Sequence, residues 1–369
     1  MQDTGKTVGI LTLHKQIYSY GAVMQAYATY AILKELGYMP QIIDICLESR
    51  FALKLSQRFP IPSQAIRRNV INGLIVDYLK HPLRLFKFRQ FNKLSEYSKT
   101  YRKIDDLYDN PPKYDIYLVG SDQVWNPCLI HNVEPYLLTF LHSDEKRISY
   151  ASSIGRTDIP SEYEPLFKDA LSKFSHLSVR EDKSKAIVQS FLPTADISIN
   201  LDPTMLINEE HWISLSKRPK FSNYVLCYFL HNEADKLKFA EQVAKHNNLQ
   251  LIAIGDKAND IDAKFLNQTG PKEWLGLIKG ANHIITDSFH GTVFSTMLNG
   301  NFMVLCNEIS KETRVNHLLN MLCLKEHITD DYTKAYDILD KAINKAEIKR
   351  KLIGEREKSI SYLKNALEN

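Results

Sequence analysis

Apolar residues in this chain fall into short blocks of five or six, separated by longer stretches with helical spacing. The first block, Val8-Gly-Ile-Leu-Thr-Leu13, has the unbroken apolar character of a strand buried on both faces of a parallel sheet. Tyr20 to Gly37 follows, rich in Ala, Leu and Met. That composition predicts a helix, with Gly37 placed to end it. Gln41-Ile-Ile-Asp-Ile45 then predicts a second strand, so the first fifty residues read as one βαβ unit. Strand signals return at Tyr114–Gly120, Arg147–Ser152 and Phe174–Arg180.

A second series begins at Tyr224-Val-Leu-Cys-Tyr-Phe-Leu230. It continues through a helix over 233–247, strands at Leu249–Ile254 and His283–Thr286, a helix over 290–299 and a strand at Asn301–Cys306. In the last forty residues Lys and Glu alternate with Leu and Ile, which predicts a long amphipathic helix. Between the two series lies a seam near residues 200–222, with Asp202-Pro203, Pro219 and few apolar positions. The expected organisation is an N-terminal Rossmann-like domain over 1–203, a second over 204–338 and a terminal helix over 339–369. Doubly wound domains bind ligands at the carboxyl ends of their strands.

Residues 50–108 depart from this pattern. Arg67, Arg68, Lys80, Arg84, Lys87, Arg89 and Lys93 interleave with Leu83, Leu85, Phe86, Phe88 and Phe91. The spacing predicts a helical insertion with one packed and one solvated face. A sharper reading makes it a basic-aromatic surface for peripheral contact with a membrane or a lipid-linked substrate.

Composition narrows the class. Of 369 residues 44% are hydrophobic and 24% charged, and the net charge is +4. That suits folded domains and an anionic small substrate, and lacks the basic stripe expected of a nucleic-acid binder. Five separated cysteines include no C-x-x-C pair, so buried free thiols are expected rather than a disulfide framework. No secretory leader is recognisable, and no apolar run approaches the roughly 18 residues of a membrane span. A cytoplasmic location is expected, with any membrane contact peripheral at the inner face.

Three polar clusters sit where a predicted strand ends. Gly120-Ser121-Asp122-Gln123 leads to Trp125. There a glycine lets the backbone approach a ligand, Asp122 can accept a proton or a sugar hydroxyl, and Trp125 either stacks on a sugar or caps the core. In Ser178-Val-Arg180-Glu181 the guanidinium either meets a carboxylate or phosphate, or forms a structural ion pair. The third cluster, Thr286-Asp-Ser288-Phe-His290-Gly291-Thr292, reads as strand, tight turn and helix. The helix N-terminus makes it an anion site, Ser288 a cap, and His290 a candidate general acid. Lys311 and Arg314, downstream of a strand, add cations. The chain has no G-x-G-x-x-G after its first strand, no phosphate loop of the G-x-x-x-x-G-K-[ST] type, no H-E-x-x-H and no G-x-S-x-G.

Six ordered stretches resemble the polysaccharide pyruvyl transferase family: Tyr20–Tyr27, Val119–Asn126, Ser149–Gly155, Ser178–Glu181, Leu201–Leu206 and Thr286–Phe294. The resemblance runs over roughly residues 8–325. It departs at Ser19, where the family pattern has Asn. It implies a fold similar to the GT-B glycosyltransferases, with two facing Rossmann-like domains. It also implies phosphoenolpyruvate as donor, a sugar or glycan as acceptor and no required cofactor or metal. His290 is then the expected catalytic acid and Asp122 the acceptor base. Arg180, Ser288, Gly291, Thr292 and Lys311 or Arg314 are the expected donor contacts, and Tyr20, Gln25, Ser121, Gln123 and Trp125 the expected acceptor contacts. Two other readings share the architecture: a nucleotide-sugar glycosyltransferase, and a module that binds glycan or phosphate without turnover.

Overall fold

The structure is a computed structural model, and it describes residues 4–14, 19–45, 80–130, 132–142, 145–230, 233–332, 335–339 and 343–369. In chain order the regular elements begin with β1 (Thr7–Leu11), α1 (Tyr20–Glu35), β2 (Met39–Ile42), α2 (Pro82–Asn92), α3 (Ile104–Asp109), β3 (Ile116–Val119) and β4 (Lys146–Ser149). Next come α4 (Glu164–Leu171), β5 (Leu177–Val179), α5 (Asp182–Phe191), β6 (Ile197–Ile199), α6 (Glu209–Leu215), β7 (Tyr224–Tyr228) and α7 (Ala234–His246). The rest are β8 (Gln250–Ile254), β9 (Lys264–Leu266), α8 (Pro271–Gly280), β10 (His283–Thr286), α9 (Phe289–Leu298), β11 (Phe302–Leu305), α10 (Thr313–Met321), β12 (Ile328–Thr329), α11 (Ala335–Leu339) and α12 (Lys345–Glu368).

The chain divides into two compact units. One comprises Met1–Pro82, Asn92–Leu206 and Glu355–Asn369; the other comprises Leu83–Phe91 and Ile207–Gly354. The division falls at 206/207, close to the expected seam. Two segments are assigned differently from the expectation. Most of α2 belongs to the second unit, and the end of α12 belongs to the first. Of the anticipated insertion, residues 50–79 lie outside the described residues. The described remainder is not helical throughout, because Tyr97 and Tyr101 form parallel bridges to Ile42 and Ile45.

In the first unit β2, β1, β3 and β4 form a parallel sheet in that order. Bridges Ile148–His176 and Ser152–Val179 carry it on to the parallel pair β5–β6. The strand order therefore reverses between β1 and β3, the place where doubly wound sheets open a crevice. Helix α1 ends as its sequence predicts. Gly37, at φ +87°, follows the C-cap, Gly37 N–H donates to Lys34 O (3.1 Å) and Tyr38 N–H to Leu33 O (3.1 Å). These are the two bonds of a Schellman motif. Its core gathers Leu11, Val119, Trp125, Phe140 and Phe167. The last turns of α12 seal this unit: Ser359 Oγ accepts from Leu201 N–H (3.0 Å), Tyr362 OH donates to Ser149 O (3.0 Å), and Leu363 and Leu367 are buried.

The second unit has six parallel strands in the order β12-β11-β10-β7-β8-β9. This is the doubly wound dinucleotide-fold order, with its reversal between β7 and β10. Lys87 of α2 is held within this unit, 3.1 Å from Glu273 and 2.9 Å from Gln268 O. Burial raises the Glu273 carboxyl, but Lys87 and Lys217 outweigh it and hold the group below its ordinary range. Of the cysteines, Cys227 and Cys306 are buried, and burial pushes both thiols up to about 12. Cys128 and Cys323 are exposed instead; both lie in turns, where a thiol has no sheet to cover it. No helix among the described residues is long and apolar enough to cross a membrane.

Candidate active site

His290 lies at the strand-order reversal of the second unit, in the first turn of α9. Three local contacts build that turn. Ser288 caps the helix, its Oγ accepting from Gly291 N–H at 3.2 Å. Thr292 Oγ1 donates to Ser288 O at 2.9 Å. Thr286 Oγ1 donates to Tyr228 O on β7 (2.6 Å) and accepts from Ser288 N–H (3.1 Å). Gly291 is required by close approach: a Cβ there would sit 2.4 Å from Thr286 Oγ1 and 3.1 Å from Ser288 Cβ. Gly291→Ala is therefore expected to cost about 1–3 kcal/mol by overpacking. Urea denaturation would check this; an unchanged midpoint would show that the turn has slack.

Deeper packing holds α9 in place. Phe294, one turn beyond His290, meets Trp212 and Trp274 edge-on, with centroids 5.0 and 5.2 Å away. All three rings are fully buried, so the helix is fixed to α6 and α8 by large aromatic contacts. Asp287 ties three elements together. Its carboxylate accepts from Leu230 N–H at 2.7 Å and pairs with Lys236 of α7 at 3.1 Å. Lys236 is almost fully buried. Desolvation would lower its ammonium, but Asp287 and Glu233 outweigh this and hold it above its ordinary value.

The two downstream cations separate clearly. Lys311 is largely exposed and paired with Glu308 at 2.6 Å. Arg314 is half-buried, with its guanidinium carbon 5.9 Å from the centre of the Phe289 ring, which in turn lies 5.1 Å from the His290 ring. Arg314 is thus the cation beside the His290 turn. Burial raises the Glu312 carboxyl above its usual range, against the pull of Arg314. His290, Ser288, Gly291, Thr292 and Arg314 form one group around a helix N-terminus, an arrangement suited to an anion.

The motifs of the first unit also converge, but into a buried lock. Arg180 is 3% exposed, and its Nη1 donates to Asp202 at 2.7 Å. Asp122 and Glu181 lie 3.7 Å from the same guanidinium. Desolvation disfavours its charge, yet Asp202, Asp122 and Glu181 more than offset this. Asp202 also accepts from Ser121 Oγ (3.0 Å), Thr204 N–H (3.0 Å) and Thr204 Oγ1 (2.6 Å). Glu181 accepts from Ser153 Oγ at 2.8 Å and from Ser184 Oγ. Arg180, expected as a donor contact, is therefore committed to carboxylates of its own unit. Asp122 adopts the left-handed region at φ +72° and accepts from Gln123 N–H at 2.9 Å. Both the Gln123 N–H and the guanidinium, at 3.7 Å, face its Oδ1.

Most of the expected acceptor contacts are likewise interior. Trp125 is fully buried, its Nε1 donating to Tyr136 O at 3.0 Å, so it caps the core and offers no face to a sugar. Tyr20 is buried at the start of α1. Gln25 is buried and donates to Leu13 O (2.8 Å) and Thr12 Oγ1 (2.8 Å). Ser121 is buried, and its single hydroxyl hydrogen is shared between Ala151 O at 2.9 Å and the Asp202 carboxylate at 3.0 Å. Gln123 alone of the five is only half-buried, and accepts from Asn126 Nδ2 at 2.9 Å. Ser19, the departure from the family pattern, caps α1 by accepting from Ala22 N–H at 3.2 Å.

One pair in this unit has no counterpart in the sequence reading. His14 is buried beyond β1, with Nδ1 2.9 Å from Thr12 O and Nε2 3.1 Å from Asp44 beyond β2. Its only sequence signal is that each residue lies two or three positions past a strand of the same βαβ unit. Among the described residues no cluster of three His, Cys, Asp or Glu side chains is placed to hold a metal ion.

Comparison with known proteins agrees with this architecture. A proposed UDP-N-acetylglucosamine 2-epimerase from Listeria monocytogenes superposes with a TM-score of 0.50 at 10% identity, covering 99% of this chain and 97% of that one. The UDP-N-acetylglucosamine 2-epimerase of Rickettsia bellii gives 0.49 at 12% identity, covering 97% and 98%. The Listeria likeness identifies the fold as the GT-B type shared by such epimerases and glycosyltransferases. No curated protein matches the sequence. The profile of the polysaccharide pyruvyl transferase family matches residues 20–307, a span that contains the β7/β10 reversal of the second unit and the His290 turn, and the chain belongs to that family.

Proposed function

We propose that the protein transfers pyruvate from phosphoenolpyruvate to two hydroxyls of a sugar, forming a cyclic ketal and releasing phosphate, in the synthesis of a capsular, exopolysaccharide or cell-wall glycan. The observation that supports this most is the position of His290 in the first turn of α9 with Arg314 beside it. A polyanionic donor needs cations and helix N–H groups, and an enol needs a proton donor at its methylene carbon.

In this scheme His290 delivers a proton to the methylene carbon, leaving a cationic centre at the adjoining carbon. One sugar hydroxyl attacks that centre and loses its proton. The C–O bond to phosphate then breaks, and the second hydroxyl closes the ring and gives up its proton. The methylene becomes a methyl group, and no oxidant or reductant is consumed. The α9 N-terminus and Arg314 hold the donor's negative charge throughout. The acceptor is a sugar unit of a glycan, lipid-linked at the inner face of the membrane. Leu83 and Phe86 of α2, both exposed beside the exposed Arg89, support that last element.

The decisive assay supplies phosphoenolpyruvate with galactose-, mannose- and N-acetylmannosamine-containing acceptors. The expected result is phosphate release matched by a ketal-bound pyruvate on the acceptor. In deuterium oxide the new methyl group should carry one deuteron. Release of a nucleoside diphosphate from a nucleotide-sugar donor, with no ketal, would replace this function with glycosyl transfer. For the membrane contact, binding to anionic vesicles is expected at low salt and loss of it at high salt. Absence of binding at low salt would remove it.

A further inference from the structure

Helix α10 begins with a buried hydroxyl that bonds to none of the described residues. Thr313 is its first residue and is 7% exposed. Its Oγ1 finds no hydrogen-bond partner among the described residues. Leaving a hydroxyl buried and unpaired costs more than replacing it by a methyl group of similar shape. Packing alone would therefore be served better by valine.

The surroundings are those of an anion site. Glu312, which precedes the helix, supplies no side-chain cap, so the first N–H groups of this nine-residue helix carry the positive end of its dipole without one. The next residue, Arg314, lies over the Phe289 ring at 5.9 Å, and that ring adjoins His290 at 5.1 Å. Strands β10 and β11, which lead into α9 and α10, are hydrogen-bonded neighbours. Two helix N-termini thus open side by side at the carboxyl edge of one sheet.

We propose that the first turn of α10, with Thr313 Oγ1 as donor and Arg314 as counter-charge, is a second anion subsite, taking one anionic group of a doubly anionic donor while the α9 turn takes the other. The subsite recognises phosphate or carboxylate oxygens. Its assignment to phosphoenolpyruvate rests on the function proposed above. A donor held at both ends presents its methylene carbon to His290 in one orientation, which neither helix could impose alone.

The test compares Thr313→Val, Thr313→Ser and wild type. Heat protection is measured with phosphoenolpyruvate and with inorganic phosphate as separate probes, alongside steady-state kinetics. Without ligand, Thr313→Val should melt at or above the wild-type temperature, because its lost hydroxyl had no partner. It should need about tenfold more of either anion for half-maximal protection, and its KM for phosphoenolpyruvate should rise about tenfold while kcat changes little. Thr313→Ser should behave as wild type. Unchanged protection and KM in Thr313→Val would overturn the subsite, as would a clear loss of stability in the unliganded variant. Wild type protected by phosphate but not by phosphoenolpyruvate, with the Thr313→Val effect intact, would uphold the subsite and remove the donor. Wild type protected by neither anion would overturn both.

Discussion

Replacing His290 by Ala or Gln should lower kcat for pyruvyl transfer by about 10²–10⁴-fold, the usual contribution of a positioned general acid. Stability and donor binding should change little. The α9 turn is held by Ser288, Thr292 and Thr286, and the helix by Phe294 between two tryptophans, all without the imidazole. Turnover, unfolding midpoint and heat protection by phosphoenolpyruvate should be measured on the same preparations. A variant that turns over near normally, with the donor still bound, would remove His290 as the acid. A variant that loses protection in proportion to turnover would make the imidazole a ligand-binding group instead.

The second large effect concerns stability. Arg180→Ala leaves Asp202, Glu181 and Asp122 buried around a missing cation. Breaking a buried ion pair from one side costs about 3–5 kcal/mol, a large share of the roughly 5–15 kcal/mol that holds a typical domain folded. The variant should unfold at much lower denaturant or accumulate as insoluble protein. Adding Asp202→Asn should recover part of the loss, because one of the uncompensated charges goes with it. A soluble Arg180→Ala protein with the wild-type midpoint and only a raised KM for the donor would contradict the structural role and restore Arg180 as a ligand contact.

These two residues also show where the sequence can be read and where it cannot. The His290 turn was legible because all its signals are local. An apolar strand, a Ser at the cap and a Gly three positions later lie within ten residues, and each acts on a near neighbour. Arg180 had the same outward appearance: a charged residue at the end of a strand. Its partners Asp122 and Asp202 are distant in sequence, so no local pattern separated a ligand-binding guanidinium from a structural one. Trp125 was equally ambiguous, and only its burial against the core resolved it. Thr313 carried no sequence signal, since an unpaired hydroxyl is a property of its surroundings.

From the sequence alone came the alternation of strands and helices, the glycine-marked end of α1, the terminal helix and the strand, cap and turn of residues 283–292. All of these follow from periodicity, capping and turn chemistry, which act over about four residues. Tertiary structure alone decided the strand orders with their two reversals, the assignment of Leu83–Phe91 to the second unit and of Glu355–Asn369 to the first, and the choice of Arg314 over Lys311 beside His290. It also decided that Arg180, Gln25, Ser121 and Trp125 are interior. Burial and pairing depend on which distant segments meet, and the free energy of a charge or hydroxyl changes sign with whether a partner is waiting there.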